Sequence, residues 1–581
     1  MNDRKQFAGA LDEISRYLEV GEGNRFKARA YANAARVVER IEMPIDAFIS
    51  TGEIDRTPGI GKATGGVIRE IAGTGRSSYL ESLRQEYPEG LFALARVPGL
   101  GPARVAALHD LGISSIEELE RACRDGTLSK VKGFGPRAQQ KMLKAIEMLA
   151  ATGARFLLPL GNELGDPLCE ALRTLEGVES VEIAGSVRRR LETVAEVALC
   201  AASGDPAASV KAALSLSLLH DLSSEGSVVT GAGPRGIPVR IRFCLPQELP
   251  SVLLFETGTE ELVDALVERA AAKDLSLQQD GLWAGRKRRA LGSERDLFRA
   301  IGVPFVEPEL RESDEYVERA KPPRLLVSHE QIRGVFHVHT TYSDGRAAMR
   351  DMLAEGRERG FEYVGISDHS KAAYYARGLD VARLDEQQAE IESHRAAFAP
   401  MRILKGTEAD ILADGSIDYD ETVLARFDFV VASIHSRFSM GLEEMTERIV
   451  RALSNPFVTF LGHPTGRLLL SRPGYQIDFD RIFDAAAASG VMIEINGNPN
   501  RLDIDWRLLR RGLDRGVTYS IHPDAHSTAE MGHTAAGCDV ARKGGLGPEH
   551  IFNTKPVDAV VEFLRERREK AIVAVRASRD R

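Results

Sequence analysis

Seven short apolar runs, separated by amphipathic stretches, follow one another between Gly334 and Ser527. The runs are FHVHTTYSDG, YVGISDHS, ILKGTEADI, FDFVVASIHS, FVTFLGHPTG, VMIEING and YSIHPDAHS. Strands that alternate with helices predict a parallel α/β arrangement, and about seven of them indicate a closed barrel. This alternation therefore restricts the C-terminal part of the chain to one fold class.

Histidine and carboxylate residues stand at the C-terminal ends of these runs, where the active sites of barrels assemble. His337 and His339 share one face of a strand because side chains alternate along it, and Asp524 and His526 repeat that spacing. Mixed nitrogen and oxygen donors suit zinc, manganese or iron and disfavour a calcium or magnesium cage. The candidate metal ligands are His337, His339, Asp344, His369, Glu408, His435, His463, Asp524 and His526.

Charge and apolar content restrict the partners of the chain. The net charge is −9, but residues 1–150 carry 22 Lys and Arg against 20 Asp and Glu, so no broad positive field is present for DNA. No apolar run approaches membrane-spanning length and the first residues lack an apolar signal core. We expect a cytoplasmic protein with no membrane partner. The five scattered cysteines argue against a disulfide framework or a cysteine-based zinc site.

A turn with two glycines recurs three times near the start of the chain, in TPGIGKATG from Thr57, VPGLGPARV from Val97 and VKGFGPRAQ from Val131. Each copy indicates a helix-hairpin-helix unit. One such turn can equally serve only to close a helical hairpin, whereas three favour DNA binding, because each turn presents backbone N–H groups to a phosphate. The predicted DNA-binding positions are Gly59, Gly61, Gly99, Gly101, Gly133 and Gly135.

The stretch VEIAGSVRRRLETVAEVALCAAS, which begins at Val181, reads as a strand, a Gly-Ser turn and a helix with adjacent arginines. Together with the hairpins it resembles family X DNA polymerases in their bacterial PolX branch. The resemblance implies an all-α N-terminal region followed by an α+β nucleotidyltransferase palm and thumb. It also implies a phosphate-cradling turn at Gly185, Ser186, Arg188 and Arg189.

The same resemblance implies a degenerate polymerase site. Two-metal phosphoryl transfer needs carboxylates, and the family supplies three aspartates on neighbouring palm strands. The pattern places Glu196 and Ala198 at the first pair and Arg240 at the third. Alanine removes a ligand and arginine adds a permanent positive charge, so we expect no magnesium at the palm and lost polymerase chemistry. In the alternative interpretation, nearby acids such as Glu182 or Glu192 substitute.

The N-terminal helices resemble the lyase domain of the same polymerases. There, a lysine on the helix after the first hairpin forms a Schiff base with a deoxyribose phosphate. The pattern match puts Val67 at that position and Lys62 in the turn. Lyase activity is therefore not expected.

The ligand-type residues of the C-terminal part closely resemble those of the polymerase-and-histidinol-phosphatase (PHP) domain, a distorted (βα)7 barrel that hydrolyses phosphoesters with three divalent metal ions. The resemblance groups them in three sets: His337, His339, Glu408 and Asp524; Glu408, His435 and His463; Asp344, His369 and His526. It implies three ions of zinc or manganese, with iron as a further option. The catalytic residues it implies are Glu408, His337, His339 and Asp524.

These observations predict a multidomain chain. We expect a helical lyase-like domain with the first hairpin over 1–90 and a helix-hairpin-helix, fingers-like region over 91–152. A degenerate palm and thumb over 153–312 and a linker over 313–333 lead to a PHP domain over 334–575.

The leading hypothesis is a PolX-family protein of DNA repair, including base excision repair, whose PHP domain is a metal-dependent 3′-to-5′ exonuclease or phosphodiesterase. It would act as a monomer on gapped or single-stranded 3′ ends. Three alternatives stay open. A bifunctional polymerase and exonuclease requires metal at Glu196, a phosphatase for small molecules requires turnover without DNA, and a DNA-end scaffold with structural metals requires binding without hydrolysis.

Overall fold

The computed structural model describes residues 4–20, 25–41, 43–88, 91, 94, 97, 100–131, 133–152, 155–319, 323 and 325–579. The chain divides into two compact units. The first comprises residues 1–155 with 214–222 and 231–237, and the second comprises 156–213, 223–230 and 238–581. Within the described residues, every helix is too short or too polar to serve as a membrane span.

Helices form most of the described part of the first unit. They are α1 (Arg4–Val20), α2 (Arg25–Arg40), α3 (Ile45–Ser50), α4 (Lys62–Thr74), α5 (Ser78–Glu86), α6 (Pro102–Asp110), α7 (Ile116–Arg124) and α8 (Pro136–Thr152). In α1, Phe7, Leu11, Ile14 and Leu18 recur at intervals of three or four residues and are all fully buried. This spacing gives the helix one apolar face for the core, and the region is all-α as predicted.

Residues 156–312 form an α+β segment, the palm segment, which belongs to the second unit except for residues 214–222 and 231–237. Its strands are β1 (Phe156–Leu157), β2 (Val178–Ala184), β3 (Thr193–Val194), β4 (Val197–Ser203), β5 (His220–Glu225), β6 (Val228–Ala232), β7 (Pro238–Cys244), β8 (Ser276–Gln278), β9 (Gly281–Ala284) and β10 (Lys287–Arg288). Its helices are α9 (Leu158–Arg173), α10 (Gly185–Arg188), α11 (Pro206–Ala213), α12 (Leu249–Thr257), α13 (Glu260–Ala271) and α14 (Glu294–Ile301). The main sheet has the order β2-β4-β7-β6-β5, in which the fully buried β4 pairs antiparallel with β2 and parallel with β7.

A buried ion-pair cluster holds α14 to α10 and to Arg311, near the end of the palm segment. Glu294 accepts hydrogen bonds from Arg188 Nη2 at 2.5 Å and from Arg311 Nη1 at 2.8 Å. The Arg311 side chain is fully buried. Burial raises the pKa of Glu294, but Arg311 and Arg188 outweigh it and hold that pKa below its ordinary value. The carboxylate is therefore charged at neutral pH and compensates the buried guanidinium.

We expect Glu294→Ala to lower the free energy of unfolding of the second unit by about 3–5 kcal/mol, because Arg311 would lose its buried counter-charge. The stabilisation depends on the charged carboxylate. It is present above the ordinary glutamate pKa and is lost as the pH falls through the lowered pKa of the folded state. Urea unfolding near neutral pH measures the effect. Glu318→Ala, at a carboxylate with 62% of its side chain exposed, is the control, and equal stability of the two variants would contradict the prediction.

The rest of the second unit is a barrel with surrounding helices. Its strands are β11 (Gly334–Val335), β12 (Tyr363–Ile366), β13 (Arg402–Asp410), β14 (Phe429–Ser433), β15 (Phe460–Leu461), β16 (Met492–Asn496) and β17 (Tyr519–His522). Its helices are α15 (Glu315–Arg319), α16 (Met349–Glu358), α17 (Val381–Phe398), α18 (Glu421–Leu424), α19 (Leu442–Leu453), α20 (Phe479–Ser489), α21 (Trp506–Leu513), α22 (Thr534–Lys543) and α23 (Val557–Arg579).

The seven barrel strands are parallel and lie side by side in chain order. A further bridge joins Val338, just after β11, to Ala525, just after β17. His339 N donates to Ala525 O at 2.9 Å, so the first and last strands meet. The predicted (βα)7 barrel is thus confirmed as a nearly closed barrel.

An aromatic cluster fills part of this barrel. The ring of Phe336 lies 5.1 Å from that of Phe429 and 4.8 Å from that of Phe460, between centroids. A Cβ atom at Gly406 would overlap the Phe429 ring, so the strand needs glycine there. The barrel is consequently a packed core and not a pore, and its polar residues collect at one end.

The palm segment contacts the barrel through Glu192 and through Lys543, the last residue of α22. Glu192 accepts a hydrogen bond from Trp506 Nε1 at 3.3 Å, and Arg507 lies beside it. Lys543 Nζ donates to Glu312 Oε1 at 2.6 Å and is fully buried. Each contact involves a charged side chain that is buried, Glu192 in the first and Lys543 in the second. They fasten the palm segment to the helices that follow β16 and β17.

Candidate metal centre

The structure brings all nine candidate metal ligands to the C-terminal ends of the barrel strands. Their donor atoms form overlapping groups in which every atom lies within 4.8 Å of the others. The groups are His339, Asp344, His369 and His526; His337, Glu408 and His463; His337, His339 and Asp524; and His369, Glu408 and His435. A carboxylate accompanies imidazoles in each group, which is the donor mixture that transition metals favour.

Glu408, on β13, is the central carboxylate. Its Oε1 lies 2.9 Å from His463 Nε2 and 3.3 Å from the Nε2 atoms of His337 and His435. Its Oε2 lies 2.9 Å from His369 Nδ1. Only 1% of the Glu408 side chain is exposed. One buried carboxylate on β13 thus links residues that follow four other strands.

Asp344 is the centre of a second group nearer the surface. Its Oδ1 lies 3.3 Å from His526 Nε2, 3.6 Å from His369 Nε2 and 3.9 Å from His339 Nδ1. The ring of His339 stacks on those of His369 and His526 at 4.5 and 4.3 Å. His369 therefore lies between Glu408 and Asp344, and His339 faces two of the predicted groups at once.

The donor set fits divalent cations. Among the described residues, His337 Nε2 and both ring nitrogens of His339 have no hydrogen-bond partner although they are fully buried. Buried polar atoms are normally paired. Ring nitrogens that face carboxylates at 3.3 to 3.6 Å without bonding them suit a cation held between the two.

Burial and neighbouring charges shift the pKa values of the side chains in the centre. Burial raises the pKa of Glu408, but His337, His435 and His369 outweigh it and hold that pKa well below its usual range. Burial and the neighbouring His526 and His369 lower the pKa of His339 to about 4. The carboxylate is thus ionised and the His339 imidazole neutral near neutral pH, which are the forms that bind metal.

Two carboxylates that the sequence analysis did not select orient the rings. Glu494 Oε2 lies 3.0 Å from His337 Nδ1, and Asp410 Oδ1 lies 2.7 Å from His435 Nδ1. A carboxylate on the outer nitrogen directs the other nitrogen inward. The alternation that predicts His337 and His339 as ligands also places Glu494 and Asn496 on one face at the end of β16, and this spacing is the signal that points to Glu494.

The turn between β11 and Asp344 is held by Asp368. Asp368 Oδ1 accepts hydrogen bonds from Thr340 N at 2.7 Å and from Ser343 Oγ at 2.6 Å. Its other oxygen accepts from Gln387 Nε2 at 2.7 Å. All four side chains are buried. The network fixes the backbone on which His339 and Asp344 stand.

The glycine turns of the first unit have the expected local form where they are described. Gly59 and Gly133 have φ angles of 95° and 92°, which only glycine adopts readily. Gly61 and Gly101 are the N-cap residues of α4 and α6, and Gly135 O accepts hydrogen bonds from the first turn of α8. Gly99 lies outside the described residues. Val67 is buried in the core of this unit.

In the palm segment, arginine occupies the place where the resemblance expects metal. Arg240 on β7 pairs in register with Ala198 on β4. Its Nη2 lies 2.8 Å from Glu196 Oε1, and its Nη1 contacts Glu256. Burial lowers the pKa of Arg240, but hydrogen bonds to Glu196 and Glu256 raise it above its ordinary value. A positive charge is therefore fixed between these carboxylates.

The turn at Gly185 and Ser186 and the two arginines that follow are also engaged within the chain. Arg188 Nη1 donates to Thr257 Oγ1 at 2.8 Å, and Arg189 Nε donates to Glu312 Oε1 at 2.9 Å. Gly185 has a φ of 61°, and Ser186 O accepts a hydrogen bond from Leu191 N at 3.1 Å. Both guanidinium groups thus serve packing within the second unit.

Comparisons with known proteins agree with this architecture. A helix-hairpin-helix domain model matches residues 2–77, a SAM-like helix-hairpin-helix tandem 92–148, a DNA polymerase beta thumb 252–312 and a PHP domain 336–498. The DNA polymerase/3'-5' exonuclease PolX of Bacillus subtilis (strain 168) is 33% identical over 568 residues, which are 97% of this chain and 99% of that protein. The chain belongs to the PolX family.

This PolX chain also matches shorter relatives through its C-terminal part. A probable phosphatase of Thermoanaerobacter sp. (strain X514) is 28% identical over 247 residues, which are 40% of this chain and 95% of that protein. A probable phosphatase of Photobacterium profundum is 27% identical over 255 residues, covering 41% and 95%. The PolX membership confirms the predicted family, and the hairpin and thumb matches imply DNA binding.

Proposed function

We propose that this PolX protein is a metal-dependent 3′-to-5′ DNA exonuclease or phosphodiesterase of DNA repair and that its polymerase activity is lost. The convergence of one buried carboxylate, Glu408, with imidazoles from the surrounding strand ends carries the proposal. Such a centre needs no serine or cysteine nucleophile, because bound divalent ions would lower the pKa of a water and neutralise charge on a phosphoester.

We assign three ions of zinc, manganese or iron to this centre. The sets are those implied by the family pattern: His337, His339, Glu408 and Asp524; Glu408, His435 and His463; and Asp344, His369 and His526. Glu408, His337, His339 and Asp524 are assigned as the catalytic residues. Glu494 and Asp410 serve as positioning residues, because they hold the His337 and His435 rings with one nitrogen turned inward.

The palm segment supports the loss of polymerase activity. Two-metal transfer to a primer requires several carboxylates free to bind magnesium. Ala198 offers no ligand, and Glu196 is already paired with Arg240. Glu192, which the alternative interpretation would use, instead contacts Trp506 on α21. The palm would then hold DNA or the barrel and not elongate a primer.

The glycine turns would hold the DNA backbone. The positions are Gly59, Gly61, Gly101, Gly133 and Gly135, with Gly99 assigned by the sequence repeat alone. Turns of this kind contact phosphates without reading sequence, which suits gapped or single-stranded 3′ ends. We retain the boundaries 1–90, 91–152, 153–312 and 334–575 with a linker over 313–333 as proposed domains. A monomer acting on cytoplasmic DNA is part of the same proposal.

Two other functions each have a specific observation in their favour. The Bacillus subtilis relative is named as both a polymerase and a 3'-5' exonuclease, which favours a bifunctional enzyme. The shorter relatives are named as probable phosphatases, which favours hydrolysis of a small phosphoester. Both are tested together with the proposed function.

The proposed function is tested with an end-labelled gapped duplex and Mn²⁺, with and without deoxynucleotides. We expect the wild type to shorten the strand from its 3′ end and not to extend it. The double variant His337→Ala, His339→Ala is expected to abolish shortening, because it removes two donors of the centre. Denaturing electrophoresis of the labelled strand measures both reactions.

Three outcomes would favour the other functions. Extension that persists in the double variant would show that the palm polymerises DNA. Hydrolysis of a small phosphomonoester at a higher kcat/KM than DNA would favour the phosphatase. DNA binding without any hydrolysis would favour a scaffold with structural metals.

A further inference from the structure

Two neighbouring tyrosines lie exposed beside the metal centre. Tyr374 is 85% exposed and Tyr375 is 60% exposed. Between centroids, the Tyr375 ring lies 6.4 Å from the rings of both His369 and His435, and 6.3 Å from the Tyr374 ring. Large aromatic side chains usually bury most of their surface. These two instead face solvent at the edge of the site.

The loop that carries the tyrosines is firmly anchored. Ala373, Ala376 and Leu379 are buried around them. Leu379 N donates to His369 O at 2.8 Å, and Gly378 N donates to Ala373 O at 3.0 Å. The backbone on both sides of the pair is therefore held by the barrel. Because the backbone is already held in place, binding of a ligand to the two rings would cost the protein little conformational freedom.

Basic side chains accompany the rings. Lys371 and Arg377, on the same loop, are exposed, with Arg377 Nη2 donating to Ser343 O, and Arg437 is exposed two residues after His435. Exposed aromatic rings together with cations are the combination by which proteins hold single-stranded nucleic acid, with bases stacked on the rings and phosphates near the cations. A small phosphoester has no base to place on the rings.

We propose that Tyr374 and Tyr375 form a stacking platform for unpaired nucleobases at the 3′ end of a single strand. The platform would place the terminal phosphodiester at the metal centre and select nucleic acid over small phosphoesters. It would tolerate any sequence, because every base has a flat face. The inference rests on the proposed exonuclease function and names the feature of the substrate that the site recognises.

A binding experiment tests the platform without relying on catalysis. The probe is a short single-stranded oligonucleotide with 2-aminopurine at its 3′ end and an uncleavable methylphosphonate as the last linkage, added to the full-length, metal-loaded protein. We expect binding to quench the fluorescence, because the terminal base stacks. Tyr374→Ala should remove the quenching and weaken binding by roughly 5- to 150-fold, whereas Tyr374→Phe should retain both.

Matched controls separate stacking from other effects. Leu442→Ala changes another exposed apolar side chain of the barrel and should behave as the wild type. An oligonucleotide with an abasic 3′ end should bind the wild type and Tyr374→Ala equally. Unchanged quenching in Tyr374→Ala, or an equal loss of affinity with the abasic probe, would overturn the platform.

The exonuclease assay distinguishes the two proposals. If the wild type quenches the probe but does not shorten DNA, the proposed exonuclease function fails and the platform stands. If the wild type shortens DNA and Tyr374→Ala binds, quenches and cuts equally well, the platform alone fails. On a cleavable strand, Tyr374→Ala should lower the ratio of kcat/KM for DNA to that for a small phosphodiester by the same factor.

Discussion

Glu408→Gln is expected to lower 3′-end hydrolysis by at least about a thousandfold. Its carboxylate lies within 3.3 Å of ring nitrogens of His337, His369, His435 and His463. Glutamine keeps the size of the side chain but removes the negative charge that would hold two ions together. Metal content should therefore fall together with activity.

Release of labelled nucleotide and elemental analysis of the purified protein measure the two effects. Glu566→Gln, at an exposed carboxylate on α23, is the matched control and should retain both activity and metal. A Glu408→Gln protein with more than about a thousandth of wild-type activity would contradict the assignment of this residue, since a lost bridging charge costs several kcal/mol.

Removal of the metals is expected to lower the midpoint of thermal unfolding of the barrel by about 10 °C or more. Ions that bind only the folded state stabilise it by about 4 kcal/mol per site at a thousand times the dissociation constant. In a domain of this size, each kcal/mol shifts the midpoint by about 2 °C. Burial lowers the pKa of His369, but Glu408 and Asp344 outweigh it and raise that pKa to about 10. A proton on His369 therefore compensates only part of the loss.

Calorimetric scans with chelator, and again after Mn²⁺ is restored, measure this shift. The double variant His337→Ala, His339→Ala is the comparison, and its midpoint should depend much less on chelator. An equal shift in the variant and the wild type would place the stabilising ions elsewhere in the chain. No shift in either protein would contradict a structural contribution from bound metal.

The barrel and its polar end could be predicted because they follow from local rules. Strand ends after apolar runs converge at one end of a parallel barrel, so His337 and Asp524 could be placed together although they are far apart in sequence. Glu494 and Asp410 were not predicted, because their positions on β16 and β13 do not reveal which histidine ring each carboxylate contacts. Their role depends on the hydrogen bonds at 3.0 and 2.7 Å that only the fold creates.

Contacts between segments that are far apart in the sequence could not be predicted either, because they too depend on the fold. Nothing near Glu192 indicates that it accepts a hydrogen bond from Trp506, 314 residues later. The exposure of Tyr374 could not be predicted from the sequence, because it depends on which neighbouring residues the barrel buries. The sequence predicts Arg240 as a lost metal ligand, but its pairing with Glu196 depends on the register of β4 and β7, and its pairing with Glu256 depends on where α12 packs.

The bridge between Val338 and Ala525 closes the barrel with its last strand. Asp524 and His526 flank Ala525 on one side of that bridge, and His337 and His339 flank Val338 on the other, just after the first strand. During synthesis, His337 and His339 therefore emerge about 190 residues before Asp524 and His526. A nascent chain that stops before β17 lacks the last two donors. A product truncated before β17 could not assemble the full set of donors, and any hydrolytic activity that depends on Asp524 and His526 would be absent from it.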